Sequence, residues 1–416
     1  MHGAPSAESQ TIIDAGQAAF LPNYAPAPFV LNTGEGARVW DTDGNEYVDL
    51  GAGIAVSSLG HQDPELVAAA KSQLDKLWHV SNLYWTEPPV RLCEELVASA
   101  AFAKRAFLCN SGAEANEAAI KLARKWASAT RPPQRREIIT FEGGFHGRTI
   151  ATVTATAQPK YHAGFEPLPG GFVYCPFNDF DAVAGAVSER TCAIMVEPVQ
   201  GEGGIHPAAP GFLEHLRVLC DANDALLIFD EIQSGMGRTG RLYAHQWAEG
   251  VEPDIMTLAK ALGCGLPIGA MLAGARVAEL LQPGSHGSTF GGNPVACAVA
   301  RVVLKRMSHS AAMARVNDAG ERTVARLRAF GQSRQLFSEV RGRGLMIGAT
   351  LREPYAASAV EVTEIAARHG VLVLVAGADV VRLVPPLSIT DEELDAGLTR
   401  LEAALDEMLQ GQSGAG

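Results

Sequence analysis

Between about residue 100 and residue 290 the chain repeats one pattern. A short apolar run is followed at once by polar or glycine-rich residues and then by a helical stretch. The runs are Ala106–Cys109, Glu137–Phe141, Cys192–Val196, Ala225–Phe229 and Ile255–Ala259. Each is too short for a helix, and near-continuous apolar strands joined by helices mark a largely parallel sheet covered on both faces. An α/β fold is expected. A chain of 416 residues has length for two or three domains of roughly 150 residues each. With 47 % hydrophobic and 19 % charged residues it can bury a large core.

The flanks read differently. Residues 1–60 are rich in Gly, Pro and Asn and predict an irregular arm with short strands, including a hairpin over 38–50 that turns at Asp43-Gly44. A helix should begin at Asp63, with Pro64 in the first turn. Asn293 should cap a long helix over 294–307. Beyond it come a strand over 345–351, a helix over 357–369, a strand pair within 371–384, and a closing helix from Thr390, whose spacing to Glu393 is that of a capping box. The expected division is an N-terminal arm with part of a small domain (1–60), a large domain (61–308), and an α+β small domain (309–416). The terminal GQSGAG reads as a flexible tail.

Several function classes are excluded early. With 34 Lys and Arg against 46 Asp and Glu, the net charge is −12, which does not suit a nucleic-acid binder. The seven cysteines are scattered, with no Cys-x-x-Cys pair and no Cys/His cluster of metal-binding spacing, so no metal is expected. The N-terminal residues do not form a secretory signal, and no apolar run approaches the roughly 20 residues of a membrane helix. A cytoplasmic protein with no membrane partner is expected.

Ligands of open α/β sheets sit beyond the carboxyl ends of the strands, so the residues there carry the reading. After Cys109 comes NSGAEANEAA, with Ser111 and Glu114 in capping-box spacing. A helix N-terminus opening on Gly112 and Ala113 suits a phosphate, though taken alone an ordinary capped helix is the better account of it. After Phe141 comes EGGFHGRT: Phe145 can stack, His146 can hydrogen-bond, and Arg148 can fork a carboxylate. Glu197 follows Val196, and Asp230 and Glu231 follow Phe229. A carboxylate ending a buried strand is costly unless something balances it. Lys260 follows Ala259, and desolvation beside other cations turns such an amine into a nucleophile. Each feature has a structural explanation on its own. Together a phosphate cradle, an aromatic plate, an acid and a lysine match pyridoxal 5'-phosphate: a lysine to hold it, an acid for its ring nitrogen, and a handle for its phosphate.

At this point the chain resembles the class III, or omega-type, aminotransferases of PLP fold type I over roughly residues 20–405. DEIQSGMGRTG (230–240) and PDIMTLAKALGCGLPIGA (253–270) are long, specific matches. NYAPAP, GAGIAVSSLGH, LWHVSNLY, GSHGSTFGGNP and VRLVPPLSIT are similar to the acetylornithine and succinylornithine subgroup. The resemblance implies that Lys260 holds the cofactor, Asp230 pairs with its ring nitrogen, Gln233 reaches its ring hydroxyl and Phe145 stacks on it. Gly112 and Ala113 would contact the phosphate. Thr289 would complete that contact across a homodimer, with Ser288 near the substrate. Arg148 would bind the substrate carboxylate, and Glu197 would pair with Arg382 as a gate on glutamate. Ile54 stands where ornithine aminotransferases carry a tyrosine, which agrees with an acylated α-nitrogen. Cys264 stands where a glycine is usual.

The implied activity moves the terminal amine of N2-acetylornithine to 2-oxoglutarate, leaving glutamate, in arginine biosynthesis. The alternatives are succinylornithine in arginine breakdown, a broader amine donor (ornithine or 4-aminobutyrate), and a catalytically silent regulator of the same fold.

Overall fold

The computed structural model describes residues 3–130 and 134–413. The chain forms two compact units. One runs from Pro64 to Asp318 with Gly342–Met346; the other gathers the residues up to Asp63, Ala319–Arg341 and the stretch from Ile347 to the C-terminus.

The first unit is built on a seven-stranded sheet. Its strands are β1 (Ala103–Cys109), β2 (Glu137–Phe141), β3 (Phe172–Cys175), β4 (Thr191–Val196), β5 (Leu226–Asp230), β6 (Ile255–Leu258) and β7 (Gly269–Gly274). The spatial order is β1-β7-β6-β5-β4-β2-β3. β7 runs antiparallel to both β6 and β1, while β2 to β6 pair in parallel. All five apolar runs are strands. β3 and β7 were not among them: β3, FVYC, lies at the edge and is only partly buried, and β7 is GAMLAG, poor in β-branched and aromatic residues.

Helix Gly112–Thr130 covers one face of this sheet. Its Ala118, Ala119, Ile120, Ala123 and Ala127 join Ile138, Ala193, Met195, Ile228 and Ile255 in one buried cluster. The alanines let the helix backbone lie close to the strands. Helix Pro294–Met307 starts as expected, with Asn293 accepting from the amides of Val295 (3.0 Å) and Ala296 (3.3 Å).

In the other unit the 38–50 hairpin is present as Arg38–Asp41 and Glu46–Asp49, paired antiparallel and joined on one side by Leu31–Glu35 and on the other by Val371–Leu372. A second sheet contains Met346–Leu351, Val380–Leu383 and Leu374–Val375. The predicted strand pair is therefore shared out, since 371–372 and 374–375 belong to different sheets. The closing helix Asp391–Ser413 has its capping box: the Glu393 amide donates to Thr390 Oγ1 (3.2 Å) and the Thr390 amide to Glu393 Oε2 (2.9 Å). It takes in the first three residues of the expected tail; 414–416 lie outside the described residues.

Three features were not expected. The arm contains a helix, Ala7–Ala19, capped by Ser6; it buries only Ser9, so it lacks an apolar stripe to announce it. Ser310–Arg334 is one long helix whose charge hides its period. Ala52–Ala55 form a left-handed turn, with φ of 46°, 60°, 65° and 62°. Left-handed helix costs roughly 1–2 kcal/mol per non-glycine residue. Here Asp49 Oδ1 holds the entry by accepting from the amides of Gly51 (2.9 Å) and Ala52 (2.7 Å), and Ile54 is presented outward.

Candidate active site

Strand register brings the acids together. Asp230 is level with Thr257, and Phe229 with Val196, so Glu197 stands beside Asp230 at the carboxyl edge. Lys260 follows just beyond β6 on the same edge.

Asp230 is only 2 % exposed. Its Oδ2 accepts from Asn116 Nδ2 (2.7 Å) and pairs with His146 Nδ1 (2.8 Å), and its Oδ1 accepts from the Ile232 amide (3.1 Å). Thr257 Oγ1 donates to Asn116 Oδ1 (2.7 Å), which fixes the amide so that its nitrogen faces Asp230 and the His146 carbonyl (2.8 Å). Burial on its own would lower the His146 pKa; the hydrogen bond and charge of Asp230 outweigh it and hold the imidazole above its ordinary value. Glu197 is buried too. It accepts from the amides of Phe145 (2.9 Å) and Gly201 (3.2 Å). Burial pushes its pKa up to about 7, against the pull of His146.

At the start of helix Gly112–Thr130 the Glu114 amide donates to Ser111 Oγ (3.2 Å). The reciprocal arm differs from the capping box: Glu114 Oε2 accepts from the amide of Asn110 (2.6 Å), one residue before the expected Ser111. Among the described residues the amides of Gly112 and Ala113 have no protein partner. The loop after β2 closes on this helix end. Gly147 has φ 137°, and a side chain there would stand 2.9 Å from the Ala113 methyl and 2.6 Å from Thr152 Oγ1.

Phe145 meets Tyr161 edge to face, with centroids 5.9 Å apart. Arg148 is exposed, its guanidinium 4.0 Å from the Tyr161 centroid and 5.6 Å from that of Phe145. Gln233 is buried, with Nε2 3.3 Å from Glu202 Oε1. Lys260 opens a short helical turn with φ 39°, and Cys264 follows with φ 45°. Both are in the left-handed region that side chains usually avoid, a strain that gathers at functional sites. Ser288 Oγ accepts from Asn110 Nδ2 (3.0 Å) and from the Gly291 amide (2.9 Å); Thr289 beside it is exposed.

One unit thus carries Gly112, Ala113, Phe145, Arg148, Glu197, Asp230, Gln233, Lys260, Ser288 and Thr289. Arg382 is buried on strand Val380–Leu383 of the other unit. The reading of the sequence passed over Asn116, Lys160 and Tyr161. Asn116 had a signal: it is a polar residue on the alanine-rich buried face of its helix.

Pyridoxal phosphate fits these residues. The buried carboxylate of Asp230 would hold its ring nitrogen, the open amides of Gly112 and Ala113 its phosphate and Phe145 its ring face, and Lys260 follows just beyond the neighbouring strand. A profile of the family "Aminotransferase class-III" matches residues 20–405. The chain belongs to the class III aminotransferases. It is a PLP-dependent transaminase of fold type I, and its substrates are an amino donor and a 2-oxo acid.

This aminotransferase is 57 % identical over 390 residues to the acetylornithine aminotransferase of Xanthomonas axonopodis pv. citri, covering 93 % of this chain and 95 % of that one. It is 49 % identical over 385 residues to the succinylornithine transaminase of Photorhabdus laumondii, covering 92 % and 95 %. The crystal structure of N-acetylornithine aminotransferase from Stenotrophomonas maltophilia superposes with a TM-score of 0.85 at 49 % identity, covering 96 % of this chain and all of that one. No helix among the described residues is long and apolar enough to cross a membrane.

Proposed function

We propose that this enzyme is the N2-acetylornithine:2-oxoglutarate 5-aminotransferase of arginine biosynthesis, working in the cytoplasm as a homodimer. The observation that carries the reading is the likeness, over nearly the whole length, to a relative named for acetylornithine. An outward apolar Ile54 agrees with it, because an acylated α-nitrogen needs no polar partner for a free ammonium.

When bound, pyridoxal phosphate supplies an electron sink for charge developing at the substrate carbon. The residues do the rest. Asp230, oriented by His146 and Asn116, would hold a proton at the ring nitrogen. Phe145 would pack the ring face and Gln233 would take its hydroxyl. The amides of Gly112 and Ala113 would hold the phosphate, together with Thr289 of the partner subunit. Lys260 Nζ would anchor the cofactor and then move the proton at the reacting carbon, as base and acid in turn. Arg148 forks the substrate carboxylate, with Ser288 nearby. Arg382 takes the second carboxylate of glutamate, and Glu197 balances that charge when the uncharged methylene chain of the acylated donor enters.

The surface supports a dimer. Leu83, Tyr84, Trp85 and Phe290 are 80 %, 72 %, 93 % and 62 % exposed. Asn82 ties their two segments together by donating to the carbonyls of Ser288 (3.1 Å) and Gly291 (2.9 Å). An apolar patch of this kind marks an interface, and it includes the loop that carries Thr289.

The test is a panel of acetylornithine, succinylornithine, ornithine and 4-aminobutyrate with 2-oxoglutarate, following glutamate. Acylated donors should exceed the free amines in kcat/KM by about a hundredfold, the cost of offering a free ammonium no partner. A preference for ornithine or 4-aminobutyrate overturns the assignment. Borohydride should fix the cofactor to Lys260 and to no other lysine.

A further inference from the structure

Arg148 does not stand alone at its end of the site. Lys160 Nζ lies 4.8 Å from the centroid of the same Tyr161 ring that carries the Arg148 guanidinium. Lys160 and Tyr161 sit on the short turn Pro159–Tyr161, which is anchored on both sides. On one side Gln158 Nε2 donates to the carbonyls of Gly143 (3.2 Å) and Gly144 (3.0 Å), directly before Phe145. On the other, His162 Nε2 lies 2.7 Å from the Thr156 carbonyl and 2.9 Å from that of Val153. The turn is therefore fixed to the loop that carries Arg148.

Neither cation makes an ion pair among the described residues. Two like charges sharing one ring repel each other, and among the described residues no carboxylate pairs with either. Aromatic contact offsets part of this cost. A ligand that brings two negative charges would offset the rest. One carboxylate on the Arg148 fork leaves the ammonium of Lys160 available for a second.

The chemistry of an N2-acylated donor supplies that geometry. Its α-carboxylate and its acyl nitrogen are attached to the same carbon, so the acyl group starts beside the carboxylate that Arg148 holds. An acetyl group ends there in a methyl and makes no use of a second cation. A dicarboxylic acyl group, such as succinyl, carries its own carboxylate onward.

We propose that Lys160 is the residue that sets acyl-end specificity, pairing with the distal carboxylate of donors acylated by a dicarboxylic acid while leaving acetylated donors unaffected. The inference rests on the acylornithine reading above and adds to it a residue for charged acyl groups. Tyr161 is a positioning residue that holds both cations in place.

Lys160→Gln keeps most of the stem, removes the charge and lies on the surface. The holoenzyme and this variant are compared for kcat/KM with N2-acetylornithine and N2-succinylornithine at saturating 2-oxoglutarate. The wild type should use both donors. In the variant the succinyl donor should fall about five- to tenfold, the size of an exposed charge-assisted pair, while the acetyl donor stays within about twofold. Lys160→Arg should restore the succinyl donor. An unchanged ratio of the two donors, or an equal fall in both, overturns the role of Lys160 and leaves the acylornithine reading standing. If the wild type turns over neither acylated donor, both readings fail together.

Discussion

Asp230 and Asp254 are both buried, one ending β5 and the other just preceding the neighbouring β6, so they sit at opposite edges of the large sheet. Asp254 precedes β6 at the amino edge. Its Oδ2 takes Arg217 Nη1 at 3.0 Å and the Leu227 amide at 2.9 Å, and its Oδ1 takes Arg276 Nη1 at 3.2 Å. Arg217 continues to Asp221 (2.7 Å) and Arg276 to Asp224, so the charges alternate outward to solvent. Asp230 ends β5 at the carboxyl edge and has a histidine, an asparagine and one amide instead. Guanidinium groups stay charged at every pH a protein meets and consume the field of the acid they face. One histidine, which can give up its proton, and an amide orient Asp230 in place of two permanent guanidinium charges and leave more of its field to be felt by a ligand. What separates a structural acid from a working one in this sheet is the kind of partner, since burial is the same.

One substitution made at both edges should break the comparison if it is wrong. Asp230→Asn removes the charge from the carboxyl edge. Activity should fall by roughly a hundred- to a thousandfold, the cost of losing one preorganised electrostatic group, with the thermal midpoint little changed. Asp254→Asn should do the reverse. It leaves Arg217 and Arg276 without their shared acid, though each keeps a second carboxylate, Asp221 or Asp224, so the loss should be about 2 kcal/mol of stability, below the value for a pair left wholly uncompensated. Turnover per folded molecule should stay within about twofold. Denaturation midpoints and kcat measured on both variants settle it; a stability loss for Asp230→Asn as large as that for Asp254→Asn would show that the two edges do not differ.

The carboxyl edge was largely legible in the sequence because buried parallel strands are uninterrupted apolar runs. A run that ends in Asp230, Glu197 or Lys260 shows where a charge meets the core. β7 was not legible: an antiparallel strand of glycine, alanine and methionine has neither alternation nor a β-branched run. The hub at Asn116 was hidden for another reason. Its partners Thr257, Asp230 and His146 come from three distant segments, and only the sheet order brings them to one side chain. The left-handed turn at Ala52–Ala55 contradicts local preference, since a β-branched Ile54 with φ 65° is the last residue expected there. What holds its entry is local, the carboxylate of Asp49 on the amides of Gly51 and Ala52, and no residue pattern announces it. Lys160 and Tyr161 were passed over because nothing in their spacing places them against Arg148.

The smallest effect concerns Glu197, the second acid of the carboxyl edge, and it sharpens what an acid without a guanidinium partner in its own unit does. Burial raises its pKa from 4.5 to about 7 in the folded chain. A carboxyl group raised in this way favours the fold while protonated. Its contribution is complete below about 4.5, where folded and unfolded chains both hold the proton, and it is lost as pH rises through about 7. His146, also raised, contributes with the same sign, so a falling stability in the wild type does not by itself single out Glu197. Glu197→Gln does, because it keeps the shape and an oxygen acceptor for the amides of Phe145 and Gly201 and removes only the titration. Measured side by side from about pH 5 to about pH 8, the variant should gain on the wild type by about 1–2 kcal/mol, read as a few degrees in the melting midpoint. A difference between the two proteins that stays flat across this range would mean that Glu197 ionises at its ordinary value. The carboxyl edge would then hold its second acid as quietly as the amino edge holds Asp254.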